Sequence, residues 1–115
     1  MGDEGLHPQI RHNIAQSEIE GGVWLKDVPV GKVLLVQTNN TLYRLEHRED
    51  GWWIQGHAKY CPEPTKTTIA GSTWGGSMLK IGWVGREMHL EFHVDAFPFS
   101  ITTSTIQDVK EETHG

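Results

Sequence analysis

Three side chains that can bind metals share one face of a predicted strand. His89, Glu91 and His93 alternate with apolar residues and therefore point the same way. Two histidines and a carboxylate suit a transition metal, but in a strand the outer pair is roughly 13 Å apart at Cα, too far to converge easily on one ion. An adjacent pair remains open if His57 or Cys61 supplies a third ligand. The pattern is more typical of a solvated strand face, and no cofactor is predicted.

The single cysteine and a glycine-rich corner offer two further kinds of chemistry. Cys61 would need His57 as its base, four residues away in an extended segment, so a structural thiol is expected. The corner, Gly71–Ser77, lacks the spacing of a phosphate-binding loop and of a nucleophile elbow. No catalytic residue is predicted, and whether the chain is an enzyme stays open. The side chains of the corner that could still line a small-ligand site are Ser72, Thr73, Trp74 and Ser77.

Composition limits the function classes. The 115 residues suit one domain, and the net charge of −5 resides in the flanks, since residues 1–31 and 95–115 each sum to −3 while 32–94 sum to +1. No basic stripe is present, which makes a nucleic-acid partner a poor expectation. No apolar run is long enough for a bilayer, and the acidic N-terminus resembles no signal peptide. With one cysteine, the expected location is the cytoplasm, with no membrane partner.

The elements that must position these residues are β-hairpins. Apolar residues alternate on both sides of Asn39-Asn40, a pair that tolerates the positive φ of a tight turn. The predicted register places Val36 opposite Tyr43. A second turn at Arg48–Gly51 places His47 opposite Trp52. Both turns predict the same core face, which is formed by Leu34, Val36, Tyr43, Leu45, Trp52 and Ile54.

The rest of the chain is expected to complete a small all-β domain. Met78–Val84 and Glu87–Val94 predict a third hairpin across Gly85-Arg86, and Phe99–Lys110 a closing pair of strand pieces. The predicted fold is an antiparallel, partly open barrel, or a two-layer sandwich, of six to seven strands. The β-domain spans residues 23–109 and is followed by a polar tail, 110–115. Residues 1–22 form an N-terminal arm, either a short helix from Gln9 to Ile19 or a disordered segment.

Part of the sequence resembles a group of small uncharacterised bacterial proteins. The resemblance rests on Gly71–Lys80, Ile81–Gly85 and Met88–Phe92, and on the closing Ile101–Ile106, where Thr105 replaces an expected proline. It covers about Lys32 to Val109. It implies a bacterial β-domain and brings no activity, cofactor or site residue with it.

The outward face of the first three strands is too apolar to be left in water. Trp52 and Trp53 are adjacent in a strand, so one faces the core and the other faces outward. The chain's own Ile10, Ile14 and residues 23–25 could cover this face, or a partner could. The leading interpretation is a binding or assembly module that self-associates through Trp53, Val33, Leu35, Leu42 and Arg44. The alternative is a small-ligand- or metal-binding protein, or a hydrolase, that uses the Gly71–Ser77 corner with His57, His89 and Glu91.

Overall fold

The strands of this chain form a closed six-stranded antiparallel barrel with a second small sheet beside it. The computed structural model describes residues 21–75 and 78–112. The strands are β1 (Gly22–Trp24), β2 (Val33–Thr38), β3 (Leu42–Arg48), β4 (Gly51–Gln55), β5 (Thr65–Thr73), β6 (Leu79–Ile81), β7 (Trp83–Gly85), β8 (His89–Val94) and β9 (Ile101–Glu111). The all-β barrel prediction is confirmed, and pairing of β4 with β5 closes the ring.

The barrel is an up-and-down ring in which each barrel strand pairs with the next barrel strand along the chain. Its order is β2-β3-β4-β5-β8-β9, and β9 returns to pair with β2. Strand β6 extends the sheet beyond β5, and β1 pairs with β7. The predicted registers of the first two hairpins are confirmed, with Val36 opposite Tyr43 and His47 opposite Trp52. Gly51 closes the second turn at a φ of 125°, where only glycine is unstrained.

The third predicted hairpin is wrong. Residues 79–81 pair with β5, residues 83–85 pair with β1, and β8 lies between β5 and β9. Gly82 has a φ of 75°, which bends the chain and divides the expected strand into β6 and β7. A turn does form at Gly85–Met88, but it joins strands that belong to different sheets.

The barrel interior is filled by apolar side chains. Tyr43 and Phe92 meet edge to face inside it, with ring centroids 5.8 Å apart. Leu25 and Val28, from the segment after β1, join the core, as do the partly buried rings of Tyr60 and Phe97. Six strands enclose a space that side chains can fill, and the core side chains of the described residues occupy it. The fully buried core positions include Val36, Leu45, Ile54, Val84, Leu90, Phe92, Val94 and Ile106.

One alternative predicted that residues 23–25 cover the outward face of β2–β4. The structure places these residues elsewhere. Trp24 lies opposite Trp83 on β7, and Leu25 is buried in the core. Ile10 and Ile14, together with the predicted helix or disorder of the arm, lie outside the described residues.

Candidate functional site

The outward face of β9, β2, β3 and β4 is built from cross-strand rows of side chains. In the antiparallel register Gln37 lies between Leu42 and Asp108, and in the next row Leu35 lies between Arg44 and Lys110. A third row places Val33 opposite Glu46, which in turn lies opposite Trp53. Residues directly opposite in neighbouring strands have Cβ atoms about 5 Å apart. The rows therefore form one continuous surface.

Charged side chains cover one half of this surface. Arg44 donates from Nε and Nη2 to the two carboxylate oxygens of Glu112, each at 3.3 Å. Glu46 accepts from Arg48 at 3.0 Å and from Arg44 at 3.4 Å. The hydrogen bond from Arg48, with the charges of Arg48 and Arg44, holds the pKa of Glu46 below its usual value, and the hydrogen bond to Glu112 raises the pKa of Arg44. Beside this network Val33 is almost fully buried, at 3% exposure.

Trp53 is held by residues of the β3–β4 hairpin. The Arg48 guanidinium lies 4.3 Å from the Trp53 ring centroid, and the Trp53 indole N–H donates to Asp50 at 3.0 Å. This bond, helped by Lys66 at 3.6 Å, lowers the pKa of Asp50. The Trp53 ring, which was predicted to contact a partner, is thus partly covered by Arg48 over its face and held by the carboxylate of Asp50 at its edge.

The other half of the surface contains an open groove. Its volume is about 260 Å³, and it is lined by Leu35, Gln37, Leu42, Asp108 and Lys110. We call it the β2–β3 groove. Leu42 is 49% exposed in it. Small-molecule pockets typically measure about 300–1,000 Å³, so the groove lies at the lower end of that size and is large enough to receive a side chain of another protein.

The predicted binding residues therefore separate into two groups. Leu35 and Leu42 line the groove, whereas Arg44, Val33 and Trp53 belong to the charged network or lie beside it. The remaining groove residues are Gln37, which the predicted hairpin register already places on this face, and Asp108 and Lys110, which sequence reasoning missed. Two of these lie on β9, and no turn signal in the sequence indicates that β9 pairs with β2.

The described part of the glycine-rich corner is the end of strand β5, Gly71–Thr73, with Trp74 and Gly75 after it. Ser72 is fully buried there, and its hydroxyl donates to the Trp83 carbonyl at 2.5 Å and accepts from the Gly85 N–H at 3.3 Å. The hydroxyl ties β5 to β7 and faces the core. Trp74 is 39% exposed, and Ser77 lies outside the described residues.

The predicted metal ligands are not brought together. His57 accepts at Nδ1 from the Lys59 N–H and lies beyond the end of β4. His89 contacts the Thr103 carbonyl through Nδ1 at 2.9 Å, and Glu91 pairs with Gly71 on β5. Across residues 21–75 and 78–112, no three His, Cys, Asp or Glu side chains are placed to hold one metal ion.

Cys61 is a buried structural thiol. Its N–H donates to the His57 carbonyl at 2.9 Å, and its carbonyl accepts from the Gly56 N–H at 2.8 Å, so a backbone turn joins the two segments. The side chain is fully buried, and burial raises the pKa of the thiol. A raised pKa and a buried sulfur disfavour the thiolate that a nucleophile requires.

Comparisons with known proteins find no relative of this chain. No protein-family model matches the chain, and neither a curated protein nor a solved structure is detectably similar to it. Within the described residues, no helix is long and apolar enough to cross a membrane. The resemblance to small bacterial proteins stays a prediction.

Proposed function

We propose that this barrel is a binding and assembly module that self-associates through the β2–β3 groove. The observation that carries the proposal is the half-exposed Leu42 in an open groove on a barrel whose interior is full. Burying an exposed leucine and its surroundings is favourable by about 25 cal/mol per Å² of apolar surface. The cytoplasmic location and the bacterial origin stay predictions from the sequence.

The charges around the groove fit a second copy of the chain related by two-fold symmetry. Asp108 and Lys110 line the same groove with opposite signs, one beside Gln37 and the other beside Leu35. In a two-fold interface the same patch meets itself, so Asp108 of one copy can lie opposite Lys110 of the other. Such complementary charge sets the orientation of the partners more than it adds to affinity.

Light scattering coupled to size exclusion tests the proposal. We expect a dimer whose dissociation constant rises at least tenfold in Leu42→Glu, because the substitution places a charge in the apolar part of the interface. Val30→Glu is the matched control, since Val30 is similarly exposed, at 53%, but lies outside the groove. A strict monomer at high micromolar concentration, or equal effects of the two variants, would contradict self-association through this groove.

A charge exchange tests the two-fold arrangement itself. Lys110→Glu should weaken the dimer because it places two acidic groups opposite each other. The double variant Asp108→Lys with Lys110→Glu should restore much of the affinity, since each pair is then opposite in sign again. Asp108 also accepts from Arg86 at 3.0 Å, so the melting temperature of each variant must be measured alongside. Failure of the double variant to recover affinity would exclude this pairing.

A further inference from the structure

Strand β9 pairs with different neighbours along its two halves. Its first half pairs with β8 on one side, where His89 lies opposite Thr105. Pairing on this side ends at Ile106, which exchanges backbone hydrogen bonds with the turn that precedes β8. The second half pairs with β2 on the other side, as far as Glu111. In the described part of the chain, residues 107–111 therefore have a neighbouring strand on one side only.

The hydrogen-bond alternation shows which backbone groups of β9 face the open side. The Glu112 N–H donates to the Val33 carbonyl at 2.8 Å, just beyond the pair that Glu111 forms with β2. Bonded and non-bonded pairs alternate along an antiparallel ladder. Lys110 is therefore bonded to β2, whereas the N–H and C=O groups of Val109 and Glu111 point away from it. Such a row of backbone groups can act as a template for another strand.

Asp108 occupies part of this open edge with its own side chain. Its Oδ1 atom accepts from the Val109 N–H at 3.0 Å and from the Arg86 guanidinium at 3.0 Å. Arg86 belongs to the turn at which pairing on the β8 side ends, so its side chain spans from that turn to Asp108. The carboxylate thus satisfies an outward N–H and holds a long side chain beside the edge.

The charges along this edge do not by themselves prevent pairing with a second copy. In an antiparallel two-fold pairing centred on Val109, Asp108 of one copy would lie opposite Lys110 of the other. Opposite charges in such a cross-strand pair are favourable, whereas like charges are destabilising. The edge of β9 is therefore self-complementary unless its backbone groups are already occupied.

We propose that Asp108 guards the open edge of β9 against strand pairing with a second copy. An incoming strand must displace the carboxylate from the Val109 N–H and move the Arg86 side chain. Both of these bonds are made by Oδ1, and the Asp108 side chain is 45% exposed, so the guard is compatible with a contact in the β2–β3 groove. The guard does not depend on self-association through that groove.

Hydrogen exchange of the Val109 amide, measured by NMR in dilute solution, tests the guard. We expect exchange at least tenfold faster in Asp108→Ala, while the Lys110 amide, which is bonded to β2, is unaffected. Asp108→Asn keeps an acceptor oxygen and should exchange more slowly than Asp108→Ala. At high micromolar concentration, light scattering should show Asp108→Ala growing into species larger than a dimer.

Lys110→Ala is the matched control, because it removes the other charge of the groove and leaves both bonds at the edge intact. It should neither speed Val109 exchange nor cause growth. Unchanged Val109 exchange in Asp108→Ala, faster exchange without growth, or equal growth in the two variants would overturn the proposal.

Two substitutions at Glu111, made in the Asp108→Ala variant, locate the growth. Glu111→Pro removes an N–H that β2 does not use and should abolish growth, while Glu111→Ala keeps the N–H and should not. Both lose the contact of Glu111 with Lys32 at 3.8 Å, so they differ in the backbone. Unchanged amide shifts in the barrel core would show that both are folded. Equal growth of the two would contradict pairing through the β9 edge.

Discussion

Ser72 shows how one hydroxyl joins two parts of the fold. It is fully buried and bonds to both Trp83 and Gly85, so it links the barrel to the sheet of β1 and β7. Its sequence context, between glycines and a tryptophan, favoured a tight structural corner but left a small-ligand site open as the alternative. Burial is a property of the assembled fold, and no local pattern distinguishes a surface serine from this one.

We expect Ser72→Ala to reduce the free energy of unfolding by about 1–3 kcal/mol, because it leaves the Gly85 N–H and the Trp83 carbonyl without a buried partner. Urea denaturation measures the change. Thr68→Ala, at an exposed position of the same strand, is the control and should change stability by roughly 0.5 kcal/mol or less. Equal losses in both variants would mean that the hydroxyl contributes little.

Tyr43 predicts a loss of stability at alkaline pH. Burial raises the pKa of its hydroxyl from 10.0 to about 12, so the unfolded chain loses this proton first as the pH rises. The stabilisation is fully present below pH 10 and disappears between pH 10 and about 12, by roughly 2–3 kcal/mol. Urea midpoints across this range measure it. Tyr43→Phe should flatten the dependence, and a wild-type curve that stays flat would contradict it.

At the scale of elements, the tight hairpins were the predictable part of the fold. Asn39-Asn40 and Gly51 each determine a turn, and a turn determines the register of its two strands. The closing pairs β4–β5 and β2–β9 follow from packing around the whole ring. They could not be predicted because the residues that pair are joined by long loops or lie at opposite ends of the chain.

The difference between tight hairpins and long-range strand pairs also explains which residues of the β2–β3 groove could be predicted. Leu35 and Leu42 share a hairpin, so their common outward face follows from its register. Asp108 and Lys110 reach this face only because β9 returns beside β2. Arg44 was predicted as a binding residue, yet Glu112 occupies its guanidinium. Glu112 lies outside the hairpin, so the hairpin register alone could not predict that it pairs with Arg44.

The second hairpin offers a clean measurement of turn strain. A Cβ at Gly51 would meet only the Lys66 side chain, at 3.8 Å, so Gly51→Ala is sterically open. Its φ of 125° is nevertheless a strained conformation for alanine, and we expect a loss of about 1–3 kcal/mol in thermal or urea unfolding. Glu49→Ala, in the same turn, is the control. A neutral Gly51→Ala would show that the turn relaxes to another type.

At the scale of the whole molecule, β9 holds the ring together. It pairs with β8 through Phe92 and with β2 through Val36, and its Ile106 is fully buried. We expect a chain ending at Ser104 to lose cooperative thermal unfolding, because β2 would lose every one of its partners on β9 and the core would lose Ile106. A chain ending at Glu112 should melt like the full chain. A cooperative transition in the shorter chain would contradict a barrel that depends on closure.

The pairing of β9 with β2 also has a consequence for synthesis on the ribosome. Strand β2 emerges early but cannot pair along its full length with its second neighbour until Glu111, the partner of Leu34, has been made. During that interval the apolar inner faces of five strands and an open strand edge are available to other nascent chains. Long-range closure of this kind folds slowly and favours aggregation. We therefore expect the yield of folded protein to depend more strongly on translation rate and chaperones than its final stability would indicate.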